Sequence, residues 1–328
     1  MDMALEVRGL RKAYPGFLLD DISLEVPAGS VMGLVGPNGA GKTTLIKLIL
    51  DLVRRDSGTI RLLGLDPVGH GTVRRRIGVV HEMPRYPHHL TLAEIGSTIA
   101  PFYPTWDERA FRRHLQAFDL SPRQRFGRLS RGMKTRFVLA AALSHHAELL
   151  LLDEPTSGLD PVFRRRLLDV LRGELQDEKT TLLFSTHITG DLDHLADYVS
   201  VLIAGRVILS ERMDEVSASW GVVRGTPESL PRLRGVLRGI RETAVGFDAV
   251  TNDAPRVRKA GGDAVVVERA SVEDILVHLA REEKMSGEMV NADRRTSTME
   301  RRNTEGTHRD DAGLESDVVS SRRTGGAL

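Results

Sequence analysis

Gly36, Pro37, Asn38, Gly39, Ala40, Gly41, Lys42, Thr43 and Thr44 stand between an apolar run, residues 31–35, and a helix-like stretch, residues 45–50. This is a phosphate-binding loop. Its glycines let successive backbone N–H groups turn toward phosphate oxygens, Lys42 adds a positive charge at the outer phosphates, and the Thr43 hydroxyl can hold Mg²⁺. Alone, the loop specifies a nucleoside triphosphate site and no particular use of it. A second set of candidate groups lies at 153–160. Asp153 and Glu154 follow the run Leu149 to Leu152, where the first carboxylate can serve a Mg²⁺ shell and the second can polarise a water toward a γ-phosphate. Ser157 and Asp160 sit in the tight turn that follows, and His187 ends another apolar run, Thr181 to Phe184. Ser130, in Leu129 Ser130 Arg131 Gly132 Met133, precedes a helix over residues 134–144 and offers a second helix terminus able to bind an anion. A further carboxylate, Glu82, ends the strand-like Ile77 to Val80 after His81; beside a phosphate loop it can reach Mg²⁺ or a water, while a solvated strand end is its ordinary fate.

The elements that must carry these groups alternate strand and helix. Ala4 to Val7 and Ile22 to Val26 predict short strands ahead of the loop, residues 58–63 another, and residues 73–76 a short basic helix. Leu149 to Leu152 reads as a buried central strand. Between residues 92 and 118 the apolar period changes from about 2 to about 3.6. Thr91 and Glu94 have the spacing of a capping box, and Asp107 can cap a second helix presenting Phe111, Leu115 and Phe118 on one face. Helices without intervening strands predict a subdomain inserted into the sheet-forming core, and the aromatics of residues 102–106 read as its packing. Tyr14, before Pro15 and Gly16, is placed to stack on an adenine from a loop; on position alone it reads as a half-buried structural tyrosine.

Taken together and in this order, these segments resemble the nucleotide-binding subunit of ABC transporters over roughly residues 4–215. Gly36 to Thr43 matches the Walker A loop and Leu129 to Met133 the signature motif. Leu149 to Glu154 matches Walker B with its catalytic glutamate, Ser157 to Asp160 the D-loop, and His187 the switch histidine. Tyr14 falls where the family places its adenine-stacking aromatic. The resemblance implies an ATPase that uses ATP and Mg²⁺, with Glu154 and His187 catalytic and Thr43, Glu82 and Asp153 around the metal. It further implies a head-to-tail homodimer, or a heterodimer with another nucleotide-binding subunit. In such a pair each ATP lies between one chain's Walker loop and the other's signature loop, and a separate transmembrane permease is driven by closure and opening. The implied fold is α/β, a P-loop NTPase core of the RecA-like kind with an N-terminal antiparallel β subdomain and a helical subdomain at about residues 83–145. Three positions depart from the family pattern: Glu82 stands for a glutamine, Arg131 for a glycine and Met133 for a glutamine. With residues 102–107 and the wording around His187, they look most like ABC-2 type exporters, including those for bacitracin-like antibiotics.

Composition sets the outer limits. The 328 residues suffice for one such domain and something smaller. A net charge of +1 gives little electrostatic reason to expect nucleic-acid binding, and the lack of cysteine removes disulfides, thiolate zinc sites and iron–sulfur clusters. No apolar run approaches the roughly 18 residues of a membrane span, and no charged-then-apolar leader opens the sequence. The expectation is a cytoplasmic protein, peripheral at the cytoplasmic face of the plasma membrane. Residues 1–215 read as the nucleotide-binding domain and 216–284 as a small α+β extension, with a strand at Ala264 to Glu268 and a helix capped by Ser271. Residues 285–328, mixed in charge and without apolar periodicity, read as a disordered tail. Two alternatives to the exporter reading remain open on sequence: a soluble ABC ATPase acting on ribosomes or DNA, and the ATPase subunit of an importer.

Overall fold

The computed structural model describes residues 2–81, 85–176, 179–193 and 195–285. The chain starts with a long hairpin, β1 (Met3–Tyr14) and β2 (Phe17–Pro27), turning over Pro15 and Gly16, and continues into β3 (Val31–Val35) and, past the phosphate loop, α1 (Lys42–Ile49). Next come β4 (Ser57–Leu62) and β5 (Ile77–Val80), then three helices, α2 (Leu92–Ile99), α3 (Glu108–Ala117) and α4 (Arg131–Leu143). The chain returns to the sheet with β6 (Leu149–Asp153), α5 (Pro161–Leu175), β7 (Thr181–Thr186), β8 (Tyr198–Ile203) and β9 (Arg206–Arg212). The remainder is α6 (Met213–Ser219), β10 (Gly221–Gly225), α7 (Leu230–Leu233), β11 (Arg238–Thr243), β12 (Gly246–Thr251), α8 (Ala254–Gly261), β13 (Val265–Arg269) and α9, which begins at residue 272.

The site is positioned by a six-stranded sheet of order β5-β6-β7-β3-β8-β9, parallel except for its last pair. Parallel strands are covered on both faces, which is why their sequences are continuously apolar. The four leucines of β6 show the division: Leu150 and Leu152 join one core cluster, Leu149 and Leu151 the other, and all are at most 1% exposed. Burying each contributes about 1.5–3 kcal/mol. Register aligns the strand ends: Val35 pairs with Thr186, and Asp153 with Ser185. The residues just beyond these ends, Gly36, Glu154 and His187, therefore emerge at one edge of the sheet, where open α/β sheets place their ligands.

A three-stranded antiparallel sheet, β2-β1-β4, packs its buried Leu5, Val7, Ile22 and Ile60 with α1 residues in the second cluster. β1 and β2 run well past the predicted segments, and in β1 bulges near Gly9, at φ 57°, reset the alternation without ending the strand. The inserted helices have an aromatic core of Phe111, Phe118, Phe126 and Phe137. The predicted capping box is present, with Thr91 Oγ1 accepting from Glu94 N at 3.2 Å and Glu94 Oε2 from Thr91 N at 2.7 Å. Asp107 caps α3 by accepting from the backbone N–H groups of Arg109 and Ala110. Of the aromatics at 102–106, Trp106 packs on Phe111 and Tyr103 stacks on His145 at 4.1 Å, while Phe102 is 67% exposed.

Residues 221–269 form an antiparallel sheet of order β11-β12-β10-β13, every neighbour antiparallel. With α7 and α8 as the connections, this is the β-α-β-β-α-β arrangement of ferredoxin-like folds. One face of it packs on α7 and α8 through Val223, Leu230, Leu233, Phe247 and Val257. Val222 and Val250 instead share a cluster with Trp220, Ile275 and Leu279, the last two on α9. The strand read at Ala264 to Glu268 is β13, and Ser271 caps α9 by accepting from Asp274 N at 3.1 Å. The tail expected at residues 285–328 lies, apart from Met285, which is helical, outside those described.

Candidate nucleotide-binding and hydrolysis site

Pro37 to Thr44 wrap one wall of a cleft of about 700 Å³ at the carboxyl edge of β3, and Phe17, Glu154, Ser157 and His187 complete its lining. The loop's shape depends on missing side chains. A Cβ on Gly36 would lie 2.2 Å from the Leu202 carbonyl oxygen; Gly41, at φ 112°, has Leu19 and Phe17 carbons within 2.8 Å of where its Cβ would be. Lys42 folds back across the loop. Its Nζ donates to the Gly36 carbonyl at 2.7 Å and lies 3.2 Å from Glu154 Oε1, with both side chains largely buried. Buried charges persist when paired and hydrogen-bonded, as here.

Glu154 is held from several directions. Its backbone, at φ 52°, is a left-handed residue at the end of β6, and its N–H donates to the Ser185 carbonyl at 3.0 Å. Non-glycine residues in this region carry strain that the surrounding structure must support, and such positions concentrate at functional sites. The other carboxylate oxygen, Oε2, is 2.6 Å from His187 Nδ1. One carboxylate thus bridges the phosphate-loop lysine and the histidine at the next strand end.

Asp153 lies behind Glu154, 2% exposed, and accepts from Ser185 Oγ at 3.2 Å. Burial pushes His81, at the end of β5, below the ordinary imidazole range, and the Asp153 carboxylate pulls it partly back. Thr43 lines the cleft and Asp153 ends β6, two strands from β3 in the sheet, so the donors near the loop are hard oxygens. That set fits Mg²⁺, which takes one or two carboxylates and completes its shell with water and substrate phosphate. No group of three or more His, Cys, Asp or Glu able to hold a metal occurs among the described residues, so a metal here would rely on those other oxygens. Glu82 lies outside the described residues.

The signature residues Leu129 to Met133 do not line this cleft. Ser130 is the N-cap of α4 and accepts from Met133 N at 3.3 Å; Met133, in place of the usual glutamine, is partly buried against the core. Gly132 faces the turn after Glu154: a Cβ there would lie 3.2 Å from Leu159. Asp160 caps α5 through Phe163 N and also accepts from Arg136 Nη2 at 3.4 Å. Signature helix and D-loop therefore support each other within one chain. Tyr14, 40% exposed with the Lys12 ammonium 5.5 Å from its ring, ends β1 outside the cleft, in a neighbouring depression that shares Phe17 with it. Phe17, which pairs with Tyr14 across the hairpin, is the lining aromatic that sequence reasoning passed over.

Residues 19–157 match the protein family described as ABC transporter. The daunorubicin/doxorubicin resistance ATP-binding protein DrrA of Streptomyces peucetius is 39% identical over 226 residues, covering 66% of this chain and 68% of that one. This chain is an ABC transporter ATP-binding protein. Daunorubicin resistance ATP-binding protein DrrA3 of Streptomyces coeruleorubidus is 34% identical over 309 residues, 86% of this chain and 98% of its own length, so its similarity reaches beyond the cassette into the ferredoxin-like region. A solved structure titled as the ATP binding subunit of an ABC transporter superposes with a TM-score of 0.59 at 30% identity, over 66% of this chain and 92% of that one. The P-loop NTPase fold and the ATPase assignment read from the sequence stand on these likenesses.

Proposed function

We propose that this chain is the energy-coupling ATPase of a membrane exporter, acting as one half of a head-to-tail pair of cassettes beside a separate membrane-spanning permease. One observation carries the reading: two elements of the kind that bind anions, the phosphate loop with Glu154 and His187 and the Ser130-capped start of α4, do not share a cleft. A second chain is the natural source of the missing half. With ATP in the cleft, the loop N–H groups and Lys42 hold the outer phosphates, so Lys42 exchanges its contact with Glu154 for the substrate. Glu154 is then free to take a proton from the attacking water, with His187 fixing its carboxylate. Thr43 and Asp153 would hold Mg²⁺, which neutralises phosphate charge. ATP binding bridges the pair, and hydrolysis releases it, giving a closing and opening cycle.

Among the described residues no helix is long and apolar enough to cross a membrane, and this reading assigns the pore to another chain. Removal of a drug across the membrane would give the resistance for which the two relatives are named, which favours export over import and over action on ribosomes or DNA. The place of action is then the cytoplasmic face of the plasma membrane. Complementation between two inactive variants tests the pairing. Lys42→Ala and Ser130→Arg should each abolish turnover alone, and a refolded mixture should recover activity, because mixed pairs contain one site with both halves intact. A mixture as inactive as its components would overturn the composite site.

A further inference from the structure

Asp191 is a carboxylate 1% exposed, well inside the protein and away from the cleft lining. It ends the short 3₁₀ turn Thr189–Asp191 that follows His187. Its Oδ2 accepts from Thr156 Oγ1 at 2.7 Å, and its Oδ1 from Arg164 Nε at 2.5 Å. Thr156 is itself 1% exposed and lies between Glu154 and Ser157, the two cleft residues of its turn, while Arg164 sits in the first turns of α5. The loops that bring Glu154 and His187 together are thus joined twice. One junction is the Glu154–His187 contact at the cleft, and the other is this buried, charge-assisted pair of hydrogen bonds.

An exposed contact between two loop residues is easily lost to solvent, whereas a buried carboxylate with both oxygens engaged has one low-energy geometry. We propose that Asp191 is a positioning residue for hydrolysis: by gripping Thr156 and Arg164 it fixes the His187 loop against the Glu154 turn and sets the carboxylate where it can meet the attacking water. This rests on the reading of Glu154 as the general base. A displacement of about 1 Å at a reacting group costs on the order of 10²-fold in rate, which sets the size of effect to look for.

The test compares Asp191→Asn, Thr156→Val and Thr156→Ser in the full-length chain, measuring kcat, KM for ATP and thermal denaturation. Asparagine presents an N–H₂ to one of two donors, and valine removes the hydroxyl at nearly constant volume. The expected result is a fall of roughly 10- to 100-fold in kcat for Asp191→Asn and Thr156→Val, with KM within about twofold. Thr156→Ser, which keeps the hydroxyl, should restore kcat. In a Glu154→Gln background, Asp191→Asn should add nothing further, since it acts through that side chain. Unchanged kcat in a folded Thr156→Val variant, a loss that Thr156→Ser fails to restore, or an equal further loss in the Glu154→Gln background would each overturn the proposal. Wild-type turnover by Glu154→Gln itself would instead sink the underlying assignment of the base, so the two failures are distinguishable.

Discussion

Replacing Glu154 by glutamine keeps the shape of the side chain and removes its charge, and the structure predicts two effects of opposite kind. Without a carboxylate to take the proton from water, kcat should fall about 10²- to 10⁴-fold, or about 3–5 kcal/mol in barrier height. Nucleotide affinity should rise. In the free protein Lys42 Nζ lies 3.2 Å from Glu154 Oε1, an attraction of about 5 kcal/mol between unit charges at an effective dielectric constant near 20, and phosphate must compete with it. Lys42 keeps its hydrogen bond to the Gly36 carbonyl in the variant, so only part of that attraction returns to ATP. Recovering about 1.4 kcal/mol of it corresponds to about tenfold tighter binding. Phosphate-release kinetics measure the first effect, and equilibrium dialysis with a non-hydrolysable analogue the second. Turnover near wild type would refute the role of Glu154; unchanged or weaker binding with lost turnover would refute the competition between carboxylate and phosphate for Lys42.

Other outcomes follow from the same geometry. Tyr14→Ala and Phe17→Ala should each weaken ATP binding, Tyr14→Ala by about 10- to 100-fold if its ring carries the adenine; fluorescent-nucleotide titration ranks the two, and a Tyr14→Ala variant of wild-type affinity would assign the base to Phe17 alone. Acid should destabilise the fold through His114 and His145, whose imidazoles burial pushes down to about 4. Because both are depressed from about 6.5, the unfolded chain binds more protons between pH 6.5 and 4, and stability falls as pH falls across that window. The slope is at most about 1.4 kcal/mol per pH unit for each histidine. Urea titrations at several pH values should show this loss, and His145→Phe should halve it.

The parts of the site that were legible in sequence are those whose physics is local. A phosphate loop needs its glycines and lysine within nine positions, and caps such as Thr91 with Glu94, or Asp107, act within a few residues. The strand ends carrying Asp153 and Glu154 were marked by the leucines before them, because a doubly covered strand must be apolar throughout. What escaped reading depends on the chain meeting itself. The bulges of β1 hide its length, since each resets a two-residue alternation, and Phe17 reaches the phosphate loop only once the hairpin folds Leu19 and Phe17 against Gly41. Helix α5 does carry a start signal, Asp160 as N-cap with Pro161 after it, which treating Asp160 as a loop residue passes over. The bond between Thr156 and Asp191 spans 35 positions and has no local signature at all.

That this ATPase drives a pore carried by another chain is tested most directly by purifying a tagged Glu154→Gln protein with ATP from detergent-solubilised native cells. Slowed hydrolysis should hold the paired, ATP-bound state during isolation. A polytopic membrane protein should accompany the chain in fixed stoichiometry. Ribosomal proteins or DNA in its place, with no membrane partner, would contradict it.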